Sequence, residues 1–154
     1  MEIEKKLAAL GFELPAPPIP AAHYIPYVRV GNLLFVGGNT GRLDGKPHAY
    51  VGKDGDHVTL EQAYQMARHC ALNHLAIIKS ALGDLDRVER VVKMIGYVNV
   101  ASGFNRMPQV INGASDLFIE LWGERGEHAR AAVGVAALAN DAPVETEVIV
   151  QVRE

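Results

Sequence analysis

The chain predicts an α+β fold, a mixed sheet of five or six strands with two long helices packed on one of its faces. Three observations carry this. The segments from Thr59 to Gly83 and from Val110 to Gly123 place apolar residues at helical spacing. Several other segments are β-branched runs that alternate or stay apolar throughout. Two helices cannot cover both faces of so wide a sheet, so they share one face, as in an α+β layer. The strands supply Val, Ile and Ala for the second face, which an oligomer with its sheets turned inward would bury.

Residues 1–10 predict a short helix, which the proline-rich run "LPAPPIPAA" stops and turns into an extended connector. "HYIPYVRVGNLLFVGG" then gives two strand-like runs around Gly31-Asn32, a turn pair that suits a hairpin. From Asn39 to Asp56 the chain is rich in Gly, Asp and Lys and reads as a long loop, or as a loop containing one more strand. Thr59 with Gln62 forms a capping-box pattern. Leu60, Ala63, Ala67, Cys70, Leu75, Ile78 and Leu82 follow on one helical stripe, and Gly83 suits the position just past the helix end. "RVERVVKMIGYVNV" alternates and predicts a strand over 87–100. Val110, Ile111, Ala114, Leu117, Phe118 and Leu121 make the second stripe, with Pro108 acceptable in the first turn and Gly123 as its stop. Two last strands are predicted, 129–138 and 144–152, joined by "ANDAP" as a hairpin.

Composition narrows the function classes. With 154 residues, 49% hydrophobic and 21% charged, the chain is one ordinary globular domain's worth of sequence. Net charge is −3 and the basic residues are scattered, which argues against a nucleic-acid surface. No apolar run approaches the ~18 residues of a spanning helix, and "MEIEKKLAAL" lacks the apolar core of a secretory signal. The single cysteine, Cys70, excludes an intramolecular disulfide and suits the cytoplasm. His69 and His74, five apart, fit no metal-ligand spacing, so no metal site is expected. "GGNTGR" lacks the lysine of a phosphate loop, and "GKDGDH" is too short and too poor in acids for a calcium loop.

The chemistry points to the C-terminal third. Arg130 opens an otherwise small and apolar strand, and Glu145 and Glu147 sit in the next one. The bland reading is a salt bridge at a strand end, common and worth little. Alternation puts Arg130, Ala132 and Gly134 on one face, where the two small residues leave a hollow. If Leu138 pairs near Val144, Arg130 lies opposite Val152, and Glu145 falls about seven residues along the sheet, on the order of 20 Å away. Such a pair cannot share a pocket within one chain, but it can across a subunit interface.

"HARAAVGVAAL" followed by "VETEVI" resembles the C-terminal signature of the RidA family, also called YjgF or L-PSP-like proteins. The resemblance covers about residues 20–153, with residues 1–22 as an N-terminal extension and connector and 23–154 as the RidA-like domain. It implies a chorismate-mutase-like α+β fold and a homotrimer with clefts between subunits. It also implies hydrolysis of reactive enamines and imines to 2-oxo acids and ammonia, with no cofactor. By this resemblance Arg130 clamps a substrate carboxylate and Glu145 orients the attacking water, while Tyr24, Gly37, Gly38 and Asn112 line the cleft. Many relatives carry Cys at Ala132, Glu at Gly134, Ser or Thr at Gly37 and Gln at Asn39, so a roomier and less polar pocket is expected here. The alternative is a trimeric module that binds a carboxylate metabolite without turning it over. Some relatives are labelled ribonucleases, a role that the charge and the lack of a basic, aromatic-lined surface argue against.

Overall fold

The computed structural model describes all residues, 1–154. Its elements run α1 (Glu2–Ala9), β1 (Tyr27–Val30), β2 (Leu33–Asn39), α2 (Leu60–Leu82), β3 (Val88–Asn99), α3 (Met107–Trp122), β4 (Ala129–Val135) and β5 (Val144–Val152). The loop between β2 and α2 contains no full strand; only Asp54 makes isolated bridges, to Val58 and Val100.

Local chemistry sets the helix ends. Thr59 and Gln62 make both bonds of the capping box, and Gly83 closes α2 in the left-handed conformation at φ 81°. Pro108 stands in the first turn of α3 and Gly123 follows its last residue. The two helices pack closely because Gly113 of α3 abuts α2: a Cβ there would lie 2.0 Å from the Tyr64 carbonyl oxygen. Short α1 also joins the core through buried Ile3 and Leu7. No helix is long and apolar enough to cross a membrane.

The sheet order is β1-β2-β5-β3-β4. All pairs are antiparallel except β3 with β4, a parallel pair whose connection is α3. This corrects the expected hairpin: β4 and β5 are not neighbours, and β5 inserts between β2 and β3. The reason lies in burial. Val144, Thr146, Val148, Val150 and Val152 form an unbroken buried row against the helices, which only a central strand can supply with cover on both sides. In β4 no residue is buried, and the strand tolerates the edge. It also ends at Val135, short of the expected 138.

Both long helices lie on the face of Leu34, Val36, Val91, Met94, Val98 and Val148. On the opposite face Val28, Phe35 and Val133 are exposed apolar residues. A hollow of about 340 Å³ opens there, lined among others by Tyr27, Phe35, Ile95, Ile149 and Glu147.

Candidate functional site

Arg130 pairs beside Met94 and shares its face, so it projects onto α3. Its Nη1 donates to Asn112 Oδ1 at 2.7 Å and to Ser115 Oγ at 3.1 Å, and its Nη2 donates to the Pro108 carbonyl at 3.4 Å. Asn112 and Ser115 are one helical turn apart and so present their oxygens together. Behind them His128 Nε2 lies 2.9 Å from Ser115 Oγ, and His128 Nδ1 lies 2.6 Å from the Gly126 carbonyl. Partial burial lowers the Arg130 pKa, with Asp116 offsetting part of that effect; a guanidinium stays cationic regardless. Both Nη1 hydrogens are used, whereas Nε and one Nη2 hydrogen have no partner within the chain. An open, cationic donor edge is therefore held in place by three fixed oxygens.

Glu145 belongs to a second group. It pairs beside Tyr97 on the face away from the helices. Gly38 lies against it: a Cβ there would meet Glu145 Cδ at 3.1 Å. The pairing of β2 with β5 slips between Val36 and Asn39, so Gly37 and Gly38 leave the regular ladder. The Gly37 N–H donates instead to the Pro26 carbonyl at 3.0 Å. Exposed Tyr24 lines a small hollow with Gly37, Gly38, Asn39 and the proline segment at Pro18 and Ile19. Burial first, and then the neighbouring Glu147 charge, raise the Glu145 pKa above the usual carboxylate value. Glu147 itself accepts a 3.1 Å bond from the Tyr97 hydroxyl.

The structure thus gathers the six expected residues into two groups, Arg130 with Asn112, and Glu145 with Tyr24, Gly37 and Gly38. Arg130 and Glu145 stand on opposite faces, three residues apart in register and two strands apart. That is about 10 Å along the strands and about 10 Å across them, rather than the seven residues expected from a hairpin. The expected hollow beside Arg130 is also corrected. A Cβ on Gly134 would lie 3.2 Å from Val100 and 3.8 Å from Met107, which stand where a side chain would go, and Ala132 packs against the core. Sequence reasoning missed Ser115 and His128. Two signals were available: Ser115 lies one turn beyond Asn112, and His128 is two residues before Arg130 on the same strand approach.

Cys70 is fully buried and its thiol is pushed up to about 12 by burial, which removes it as a nucleophile. Buried His74 is held at about 4 by burial and bonds Thr146.

Comparison with known proteins gives a consistent picture. Residues 4–144 match the family described as "YjgF/chorismate mutase-like, putative endoribonuclease". The chain is 41% identical over 150 residues to protein TCP17 of Trypanosoma cruzi, covering 97% of this chain and 93% of that one. The crystal structure of Atu1372 from Agrobacterium tumefaciens, described as of unknown function, matches with a TM-score of 0.90 at 43% identity, over 98% of this chain and 92% of that one. A "putative endoribonuclease" from Shewanella oneidensis superposes with a TM-score of 0.94 at 30% identity, over 99% of this chain and 100% of that one.

Proposed function

The chain belongs to the YjgF/chorismate mutase-like family, and on that premise we propose that it hydrolyses enamines and imines, 2-imino acids above all, to 2-oxo acids and ammonia. The observation that carries this reading is the Arg130 guanidinium, braced by Asn112, Ser115 and Pro108 with its Nε edge unpaired. A carboxylate on that edge gains a charge-assisted, bidentate contact of about 1.5–3 kcal/mol. Holding the substrate there fixes its C2 carbon for attack, which is catalysis by positioning.

The site is completed between subunits. A homotrimer that turns its exposed sheet faces inward brings the Glu145 group of one subunit to the Arg130 group of the next. Glu145, with its raised pKa, takes a proton from water as the water oxygen bonds to C2, and the imine nitrogen gains a proton. The carbinolamine nitrogen then takes a second proton, the one that Glu145 had accepted. The hydroxyl proton returns to the Glu145 carboxylate, the C=O bond forms as the C–N bond breaks, and ammonia leaves with that bond's electron pair. Tyr24, Gly37 and Gly38 wall the cleft on the Glu145 side. In this reading residues 1–22 form an extension to the 23–154 domain, and Pro18 and Ile19 border the cleft beside Tyr24. The reaction needs no cofactor, and the lone, buried Cys70 suits a reducing cytoplasm as its setting.

A second reading, a carboxylate-binding module without turnover, draws on Val100 and Met107, which make the Gly134 side of Arg130 apolar. One experiment separates the two. A serine or threonine dehydratase generates the imine, semicarbazide traps it, and this protein competes with the trap. We expect wild type to lower the semicarbazone yield and Arg130→Ala to lose at least about 100-fold of that effect, the scale on which positioning acts. Carboxylate binding that depends on Arg130, with no effect on any imine, establishes the module instead.

A further inference from the structure

We infer that His128 and Ser115 form a positioning relay that fixes the rotation of the Arg130 guanidinium. The inference rests on the reading of Arg130 as a carboxylate clamp and adds the residues that hold the clamp to one orientation.

The hydrogen-bond chain leaves no choice of direction. The Gly126 carbonyl can only accept, so at 2.6 Å His128 Nδ1 must carry the proton. In the neutral ring Nε2 is then an acceptor, and the Ser115 hydroxyl 2.9 Å away donates to it. With its proton committed, Ser115 Oγ turns its lone pairs to Arg130 Nη1 at 3.1 Å. Asn112 Oδ1 takes the second Nη1 hydrogen at 2.7 Å. Nη1 therefore has both hydrogens engaged, and rotation about the terminal C–N bond would break two bonds together.

The surroundings favour the neutral ring that this chain requires. Burial lowers the His128 pKa and the Arg130 cation lowers it further, with the Gly126 bond opposing both. The other charged groups near this corner are Asp116 on α3, which interacts with Arg130, and Glu127 and Arg90, which border the shallow hollow beside His128. Phe118 of α3 meets the His128 ring edge-on with centroids 6.3 Å apart, fixing its plane. Ser115 is buried, so water does not replace the hydroxyl as acceptor. These two residues touch no substrate; they act through Arg130.

The test uses the full-length protein in four forms: wild type, Ser115→Ala, His128→Phe and His128→Gln. The first readout is arginine side-chain NMR, with the Arg130 signals assigned from Arg130→Lys. We expect hindered guanidinium rotation, seen as separate Nη signals, in wild type. They should average in Ser115→Ala and His128→Phe. In His128→Gln, whose amide oxygen can accept from Ser115, they should stay separate. The second readout is the imine competition assay, in which kcat/KM should fall about tenfold in the first two variants and recover in His128→Gln. Thermal unfolding checks that each variant is folded. Separate Nη signals that persist in both Ser115→Ala and His128→Phe overturn the relay, as do averaged signals in wild type. A wild type with no effect on imines overturns the deaminase reading alone, because the NMR readout decides the relay without any turnover.

Discussion

Glu145 and Asp54 are both carboxyl groups pushed upward by burial, yet Glu145 is only half-buried, beside Gly38, whereas Asp54 is fully buried. In the proposed reaction Glu145 must be ionised to take a proton from water, so activity is expected to fall as pH drops through its raised pKa, which lies above the ordinary value of 4.5. Removing the Glu147 charge with Glu147→Gln takes away one cause of that rise. The acid limb of the kcat/KM profile should then move to lower pH, and a limb that stays in place removes Glu145 as the base. Asp54 is fully buried with neither carboxylate oxygen bonded, and burial holds its pKa at about 8 against 3.8 when exposed. Between those values the folded state keeps a proton that the unfolded state has lost. The native state binds more protons, and its stability therefore falls as pH rises from about 4 to about 8. Asp54→Asn carries no charge at any pH. Its melting temperature should exceed that of wild type by about 5 °C or more at pH 8.5 and by much less at pH 5. Equal differences at the two pH values would show that Asp54 does not ionise on unfolding. Neither residue announces this in the sequence, because burial is set by what other segments place over it.

At the scale of elements, signals within a few residues were legible and signals between segments were not. Thr59 with Gln62, Gly83, Pro108 and Gly123 mark helix ends through bonds or dihedral angles that involve only adjacent turns. The contact between the helices depends instead on a residue inside α3, Gly113, which lies against α2. Gly113→Ala puts a methyl group about where the Tyr64 carbonyl sits, with a Cβ distance of 2.0 Å, and that oxygen belongs to backbone that cannot rotate away. The helices must separate, at a cost of about 3 kcal/mol or more. Chemical denaturation of Gly113→Ala should show that loss as a lower midpoint at unchanged slope; an unchanged midpoint means α2 and α3 are less tightly packed than this. The alternation of β4 and β5 was equally plain in the sequence, but their partners were not. Proximity along the chain suggested a hairpin, whereas the row of Val144, Thr146, Val148 and Val150 required a place in the middle of the sheet.

The whole molecule is an α+β layer with one face covered by its own helices and one left with exposed Val28, Phe35 and Val133. If that face is the trimer interface, Phe35→Asp buries a carboxylate among apolar side chains and should release folded monomers, visible by light scattering after gel filtration. Activity should vanish with the trimer although Arg130 and Glu145 are untouched; full activity in a monomer would place the whole site within one chain. The sequence by itself determined the helices and their caps, and the strands and their alternation. Each follows from periodicity or from bonds between residues near one another in the chain. Only the tertiary structure decided the strand order, the parallel pairing of β3 with β4, the opposite faces of Arg130 and Glu145, and the bracing of Arg130 by Ser115 and His128. Those depend on which strand has the most apolar surface to hide and which helix ends up beside it, a competition settled among all segments at once.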